Sequence, residues 1–143
     1  MDWEQLANIT NLDRGLWRSI KGYANESIAI GRALHCGFVL FFKAWRDSKY
    51  DAVLDYAGAL TRIEIKGSST TRLSVTAGGR SGQQIDRTAG SRERVLNKID
   101  CDFVIGVCRP NGTCYIIPTE IVELYGKKSI ALTKLEHFKE KWE

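Results

Sequence analysis

The stretch Lys49–Ser69, KYDAVLDYAGALTRIEIKGSS, decides how this chain is read. Two short runs, 51–56 and 59–66, flank Ala57-Gly58, a dipeptide suited to a two-residue hairpin loop. With that loop Tyr56 faces Ala59, and following the pairing back along both strands puts Asp51 opposite Glu64. Strand side chains alternate, so Ala52, Leu54, Tyr56, Thr61, Ile63 and Ile65 share one face, which is a core face. Asp51, Val53, Asp55, Arg62, Glu64 and Lys66 share the other. Asp55 lies about 13 Å along the strand from Asp51, where a diagonal ion pair with Arg62 is expected.

The charged face has a chemical meaning. Two carboxylates facing each other across a hairpin repel unless a cation sits between them. Such oxygen donors suit Mg²⁺, which keeps several waters and binds through one or two carboxylates together with phosphate oxygens. Lys66 stands about 7 Å beyond Glu64 on the same face, where an ammonium can orient a water or stabilise charge developing on a phosphate. Carboxylate, carboxylate and lysine around a metal form an apparatus for hydrolysing nucleic acid.

Working outward, residues Trp3 to Asn8 are expected to form a short helix, and Asn25 to cap a second one running to about Cys36, with Gly37 closing it. Ile30, Ala33, Leu34 and Phe38 recur at the spacing of one buried stripe. Phe38 to Trp45 reads as a strand, as does Arg72 to Val75. The glycine-rich run 77–82 reads as a loop that contacts ligand. Ser91 is expected to cap a helix through Lys98, and Asp102 to Val107 is a strand. Asn111-Gly112 turns the chain into Thr113 to Ile117, and Pro118 opens a helix through about Tyr125. The expected fold is α/β (α+β), a central mixed β-sheet flanked by helices.

Length and composition bound the possibilities. The chain has 143 residues, 43% hydrophobic and 27% charged, which suits a single domain over 1–143 rather than a disordered or fibrous chain. No apolar run approaches the length of a membrane span, and the N-terminus MDWE lacks the basic and apolar regions of a secretory signal. The four cysteines, at 36, 101, 108 and 114, have no C-x-x-C spacing, and His35 and His137 do not complete a zinc set. A cytoplasmic protein with reduced cysteines and no membrane partner is the expectation. Net charge is +4, but between Arg62 and Lys98 eight basic residues stand against three acids, so this segment carries the whole positive excess. A polyanion such as DNA is the partner it suggests.

Asp51, followed by Glu64-Ile65-Lys66 on the next strand, resembles the PD-(D/E)xK nuclease superfamily, which includes restriction enzymes, archaeal-type Holliday-junction resolvases and small homing endonucleases. The resemblance implies a restriction-endonuclease-like core of helix, three-stranded meander, helix and further strand, matching the order expected from about residue 22 to 117. It also implies that Asp51 and Glu64 bind Mg²⁺, with Mn²⁺ an expected substitute, while Lys66 acts as catalytic base or orients the water. Glu26 stands where the preceding helix often supplies another acid; a Glu in the first turn of a helix is also favoured by the helix dipole alone. Tyr50 replaces the proline that the family's signature places before the aspartate.

On this reading the protein is a Mg²⁺-dependent DNA endonuclease, site-specific in the manner of homing or restriction enzymes. Arg72, Arg80, Gln83, Gln84, Arg87, Arg92, Arg94 and Lys98 are its expected DNA contacts. The predominance of arginine favours base reading, since arginine grips guanine edges as well as phosphates. A structure-specific junction resolvase and a non-catalytic DNA-binding module of the same fold are the alternatives. One site cuts one strand, so a homodimer or homotetramer is expected.

Overall fold

The computed structural model describes residues 14–42, 48–78 and 93–143. Helix α1 (Arg14–His35) leads into β1 (Val39–Phe42), β2 (Ala52–Tyr56) and β3 (Ala59–Ser68). Short strands β4 (Arg72–Ser74), β5 (Thr76–Ala77) and β6 (Arg94–Val95) follow, then β7 (Phe103–Cys108), β8 (Thr113–Pro118), α2 (Thr119–Tyr125), β9 (Ser129–Ala131) and a 3₁₀ helix (Leu132–Phe138). The expected first helix at residues 3–8, and the loop over its stretch 79–82, lie outside the described residues.

The central sheet has five strands in the order β1-β2-β3-β7-β8. Every pairing is antiparallel except β3 with β7, which makes the sheet mixed, as expected. The β2–β3 hairpin forms in the anticipated register, with Tyr56 opposite Ala59 and Ala52 opposite Ile63. Its loop places Ala57 at φ 51° and Gly58 at φ 84°, the left-handed pair that suits the twist of adjoining strands. Asp55 Oδ1 accepts the Gly58 N–H at 2.9 Å, so this carboxylate braces the turn rather than pairing with Arg62. Arg62 turns instead to Asp102, a residue 40 positions away that a hairpin argument cannot reach.

Each face of the sheet carries its own core. On one, Ala29 and Ala33 of α1 pack with Leu54, Ile63, Ile65, Ile105, Val107 and Trp142. On the other, Leu73, Val75, Leu96, Val104, Tyr115 and Ile117 join Val122, Ile130 and Leu135. Burying each such large aliphatic side chain contributes about 1.5–3 kcal/mol. The second core covers only part of its face and leaves the β2–β3 end, with Glu64 and Lys66, half-buried.

Two local expectations are corrected. Asn25 does not cap a helix: α1 begins by Arg14 and carries Asn25 in its interior, because Asn25, Ala29 and Ala33, four residues apart, form the buried stripe against the sheet. Gly37 does close α1, at φ 88°, with the Phe38 N–H reaching Ala33 O at 3.1 Å. Ser91 to Lys98 is not a helix in its described part: β6 pairs with β5, and Asp100 then draws the chain into a turn by accepting the Asn97 N–H at 3.0 Å. Lys98 N–H goes to Glu123 of α2 at 2.7 Å, a bond that long-range packing supplies and helix propensity cannot anticipate. The strand begun at Phe38 is seen as Val39–Phe42.

Candidate active site

Asp51 sits just before β2, where the hairpin leaves its register. Its N–H donates to Ile63 O at 2.8 Å, although Ala52 already stands opposite Ile63. Two residues of one strand therefore oppose one of the other, the arrangement of a β-bulge, which re-aims a side chain. The Asp51 carboxylate uses the change of direction: Oδ2 accepts the Ile65 N–H at 2.8 Å. Strict opposition of Asp51 and Glu64 is thus replaced by an offset in which Asp51 is tied to the residue between Glu64 and Lys66.

The reason lies in unequal strand lengths. β3 continues to Ser68, whereas β2 begins at Ala52, level with Ile63. Beyond that level, among the described residues, the β2 side of β3 has no strand partner, and backbone donors there require another acceptor. Asp51 supplies one for Ile65. On the opposite edge β7 remains paired with β3 as far as Ser68.

Glu64 and Lys66 point to the same face of β3, as alternation requires. Lys66 Nζ lies 3.1 Å from Glu64 Oε1, with side-chain exposures of 26% and 15%. The ammonium thus supplies positive charge to a carboxylate that has given up much of its water. Below Glu64 lies buried Cys101; burial pushes that thiol up to about 11, and the Glu64 charge acts in the same direction.

Arg62, two residues before Glu64, braces the floor. Its backbone N–H and Nε both donate to Asp102 Oδ2, at 2.8 and 3.2 Å, and Nη2 reaches Oδ1 at 3.0 Å. Nη1 donates to Ile99 O at 2.9 Å and Nη2 to Lys98 O at 2.7 Å. The guanidinium holds the Asp102 carboxyl below the usual carboxylate range. This hub escaped sequence reasoning because no local spacing links Arg62 to Asp102.

Glu26, half-buried on α1, occupies a definite flank. Ile28 and Arg32 lie on the other: Ile28 approaches the β7–β8 turn at Gly112, and Arg32 Nη2 bonds Glu140 Oε2 at 2.5 Å. Glu140 Oε1 in turn accepts the Cys114 N–H of β8 at 2.9 Å. With Ile28 and Arg32 on the β8 side, helical geometry turns Glu26 and Ile30 towards β1 and β2, the side of Asp51. Among the described residues, however, no three His, Cys, Asp or Glu side chains group closely enough to form a metal-binding cluster, so Glu26 does not complete a triad with Asp51 and Glu64.

Of the expected DNA contacts, Arg72 is exposed on β4 and bonds Ser129 through Nε to Oγ and Nη2 to O, both at 3.0 Å. Arg94 is bidentate with buried Asp100, both contacts 2.6 Å, and holds that carboxyl below its ordinary range. Lys98 pairs with Glu120 at the surface. Arg80, Gln83, Gln84, Arg87 and Arg92 lie outside the described residues.

A helix packed on a mixed sheet, with an acid before the second strand and acid and lysine alternating on the third, defines a nuclease architecture. The chain belongs to the PD-(D/E)XK endonuclease family, whose model matches residues 18–141. Among solved structures it is similar to that of a bacterial homing endonuclease, I-Ssp6803I, with a TM-score of 0.68 and 20% sequence identity over 87% of this chain and 89% of that one. No curated protein matches. No helix among the described residues is long and apolar enough to cross a membrane.

Proposed function

We propose that the chain is a single-domain, Mg²⁺-dependent DNA endonuclease whose cleavage is site-specific. The observation that carries this reading is the grouping of Asp51, Glu64 and Lys66 at the end of β3 that runs past β2, with Asp51 tied to Ile65 at 2.8 Å and Lys66 ion-paired with Glu64 at 3.1 Å. The donor set fits the ion: two hard carboxylates suit Mg²⁺, which takes its remaining ligands from water and phosphate. Asp51 and Glu64 would hold it, with Glu26 on the flank of α1 that faces β1 and β2. When bound, the ion neutralises the phosphodiester and lowers the pKa of a water.

The chain's own residues do the rest. Asp51 is oriented by the Ile65 N–H, so it meets its ligand with little reorganisation. Lys66 carries a positive charge next to the acids and can orient the attacking water or stabilise charge on the scissile phosphate. Arg62 and Asp102 hold β3 and the 98–102 turn together beneath these groups.

Arg72, Arg80, Gln83, Gln84, Arg87 and Arg92 are proposed to line the DNA path. Arg94 and Lys98 would flank it with charges partly neutralised by Asp100 and Glu120. Specific rather than structure-directed cleavage is favoured because the basic residues of this segment are mostly arginine. The likeness of fold to a homing endonuclease is consistent with that choice. Two copies would cut both strands, so a homodimer or homotetramer inside the cell is part of the proposal.

The test is a cleavage assay on supercoiled plasmid, linear duplex and a four-way junction, with Mg²⁺ or Mn²⁺ and with EDTA. Metal-dependent cutting at one duplex sequence supports the reading. Cutting confined to the junction identifies a resolvase. DNA binding that persists in EDTA with no cleavage of any substrate overturns the enzyme reading in favour of a binding module.

A further inference from the structure

Asn25 shares the sheet-facing stripe of α1 with Ala29 and Ala33, and it is the polar member of the three. It is 9% exposed, and its Oδ1 is buried without a hydrogen-bond partner among the described residues. Beneath it lies Gly67, the residue after Lys66. A Cβ at Gly67 would fall 1.8 Å from Asn25 Nδ2, 2.3 Å from Cγ and 2.7 Å from Oδ1. The amide therefore occupies the volume that any other residue at position 67 would fill with its own side chain.

Simple space-filling does not account for this choice. At positions 29 and 33 alanine meets the sheet without burying a polar atom, whereas an unsatisfied buried carbonyl is unfavourable. What an asparagine adds is reach: its side chain enters the notch in β3 and keys the helix against sliding along the strand. The neighbouring residue is Glu26, on the flank that faces Asp51, and the notch adjoins Lys66. We propose that Asn25 is a positioning residue: seated in the Gly67 notch, it fixes α1 along β3 and so sets Glu26 relative to Asp51, Glu64 and Lys66. The proposal rests on the nuclease reading of that site.

The test compares Asn25→Ala, Gly67→Ala and the double variant in the full chain, with Asp51→Ala as reference. Asn25→Ala should bind duplex DNA in EDTA within twofold of the parent and keep its KM. Its kcat should fall by about 10- to 100-fold, the scale of a catalytic group misplaced by about an ångström. The gain in DNA affinity from Ca²⁺ over EDTA, read without turnover, should shrink in Asn25→Ala and vanish in Asp51→Ala. Gly67→Ala should lose more activity in the presence of Asn25 than in the double variant, because its methyl displaces the amide only when the amide is there. Should Asn25→Ala fail to fold, Asn25→Ser, shorter but still polar, carries the same comparison. If Asp51→Ala is inactive while the Asn25 variant keeps its kcat and Ca²⁺ response within twofold, Asn25 only packs and the proposal is overturned. If Asp51→Ala and Glu64→Ala are both fully active, the site reading beneath it has failed instead.

Discussion

Replacing Asp51 by alanine separates two functions that the carboxylate performs together. In the absence of divalent cation, the loss is structural. The Ile65 N–H, bonded to Asp51 Oδ2 at 2.8 Å, lies past the end of β2 and loses its acceptor. A donor left unpaired costs about 1–3 kcal/mol, and the half-buried position of Asp51 admits some water, which places the loss near the lower end. Relief of repulsion between Asp51 and Glu64 offsets little of this, since Lys66 already stands 3.1 Å from Glu64. A net loss of about 1 kcal/mol lowers Tm by roughly 2–5 °C for a chain of this size. Asp51→Asn keeps a carbonyl oxygen able to accept from Ile65, so its Tm should stay within about 1 °C of the parent by the same scale. Its cleavage should nevertheless be lost, because a neutral amide is a far poorer ligand for a hard cation than a carboxylate. Thermal unfolding in EDTA, followed by circular dichroism, and plasmid cleavage in Mg²⁺ give the two readouts. Asp51→Ala melting at or above the parent would refute the hydrogen-bond argument. Asp51→Asn cutting at the parental rate would remove Asp51 from the metal site.

Lys66→Ala should lower kcat far more than it weakens DNA binding, because the role proposed for the ammonium is on charge that develops in the transition state; unchanged kcat with a raised Kd would make Lys66 a phosphate contact. Asp55→Asn should leave cleavage largely intact, since Asp55 braces the hairpin turn through Gly58; its loss of activity would mean the wrong aspartate has been assigned. Asp100 and Asp102 have folded pKa values depressed by Arg94 and Arg62, so the stability they contribute is complete above the unfolded value of about 4 and is lost as pH falls through the lower folded values. Urea midpoints at pH 7 and pH 3 should therefore converge for Arg94→Gln relative to the parent, and an equal acid loss in both would sink this assignment. Binding constants for DNA should fall with salt at a log–log slope near −0.9 per neutralised phosphate. Arg72→Ala and Arg92→Ala should each reduce that slope by about 1, whereas Arg80→Ala should relax preference at one base pair; no change in any of the three would remove the DNA path.

The hairpin was legible because its register follows from loop length and period-two alternation, both local properties. That register placed Glu64 and Lys66 on one face and set Ile63 and Ile65 in the core. What alternation could not show was the slip at Asp51, which depends on β2 ending while β3 runs on. The start of α1 was misread for a similar reason. Asn25 looks like a helix cap in isolation, yet the seat that it finds over Gly67 exists only once helix and sheet have met. The expected helix at 91–98 failed where Asp100 and Glu123 claimed the backbone N–H groups of Asn97 and Lys98. In each case a tertiary contact outweighed local preference.

The basic excess of residues 62–98 divides differently once partners are known. Arg62 is enclosed by Asp102 and the carbonyls of Lys98 and Ile99, Arg94 is bidentate with Asp100, and Lys66 is paired with Glu64. Arg62 and Lys66 stand part-buried on β3, and Arg94, half-exposed on β6, is held by the buried Asp100. Arg62 holds the 98–102 turn against β3, Arg94 ties β6 to the same turn, and Lys66 balances Glu64 in the candidate site. Arg72 is anchored to the hydroxyl and carbonyl oxygens of Ser129, and among the described residues no acid pairs with it. A basic residue whose partner is a neutral oxygen is thus the better candidate for counterion release, and one clamped by a carboxylate the better candidate for architecture. Summed charge along a sequence measures both kinds together, so the phosphates neutralised by this segment should number fewer than its eight basic residues.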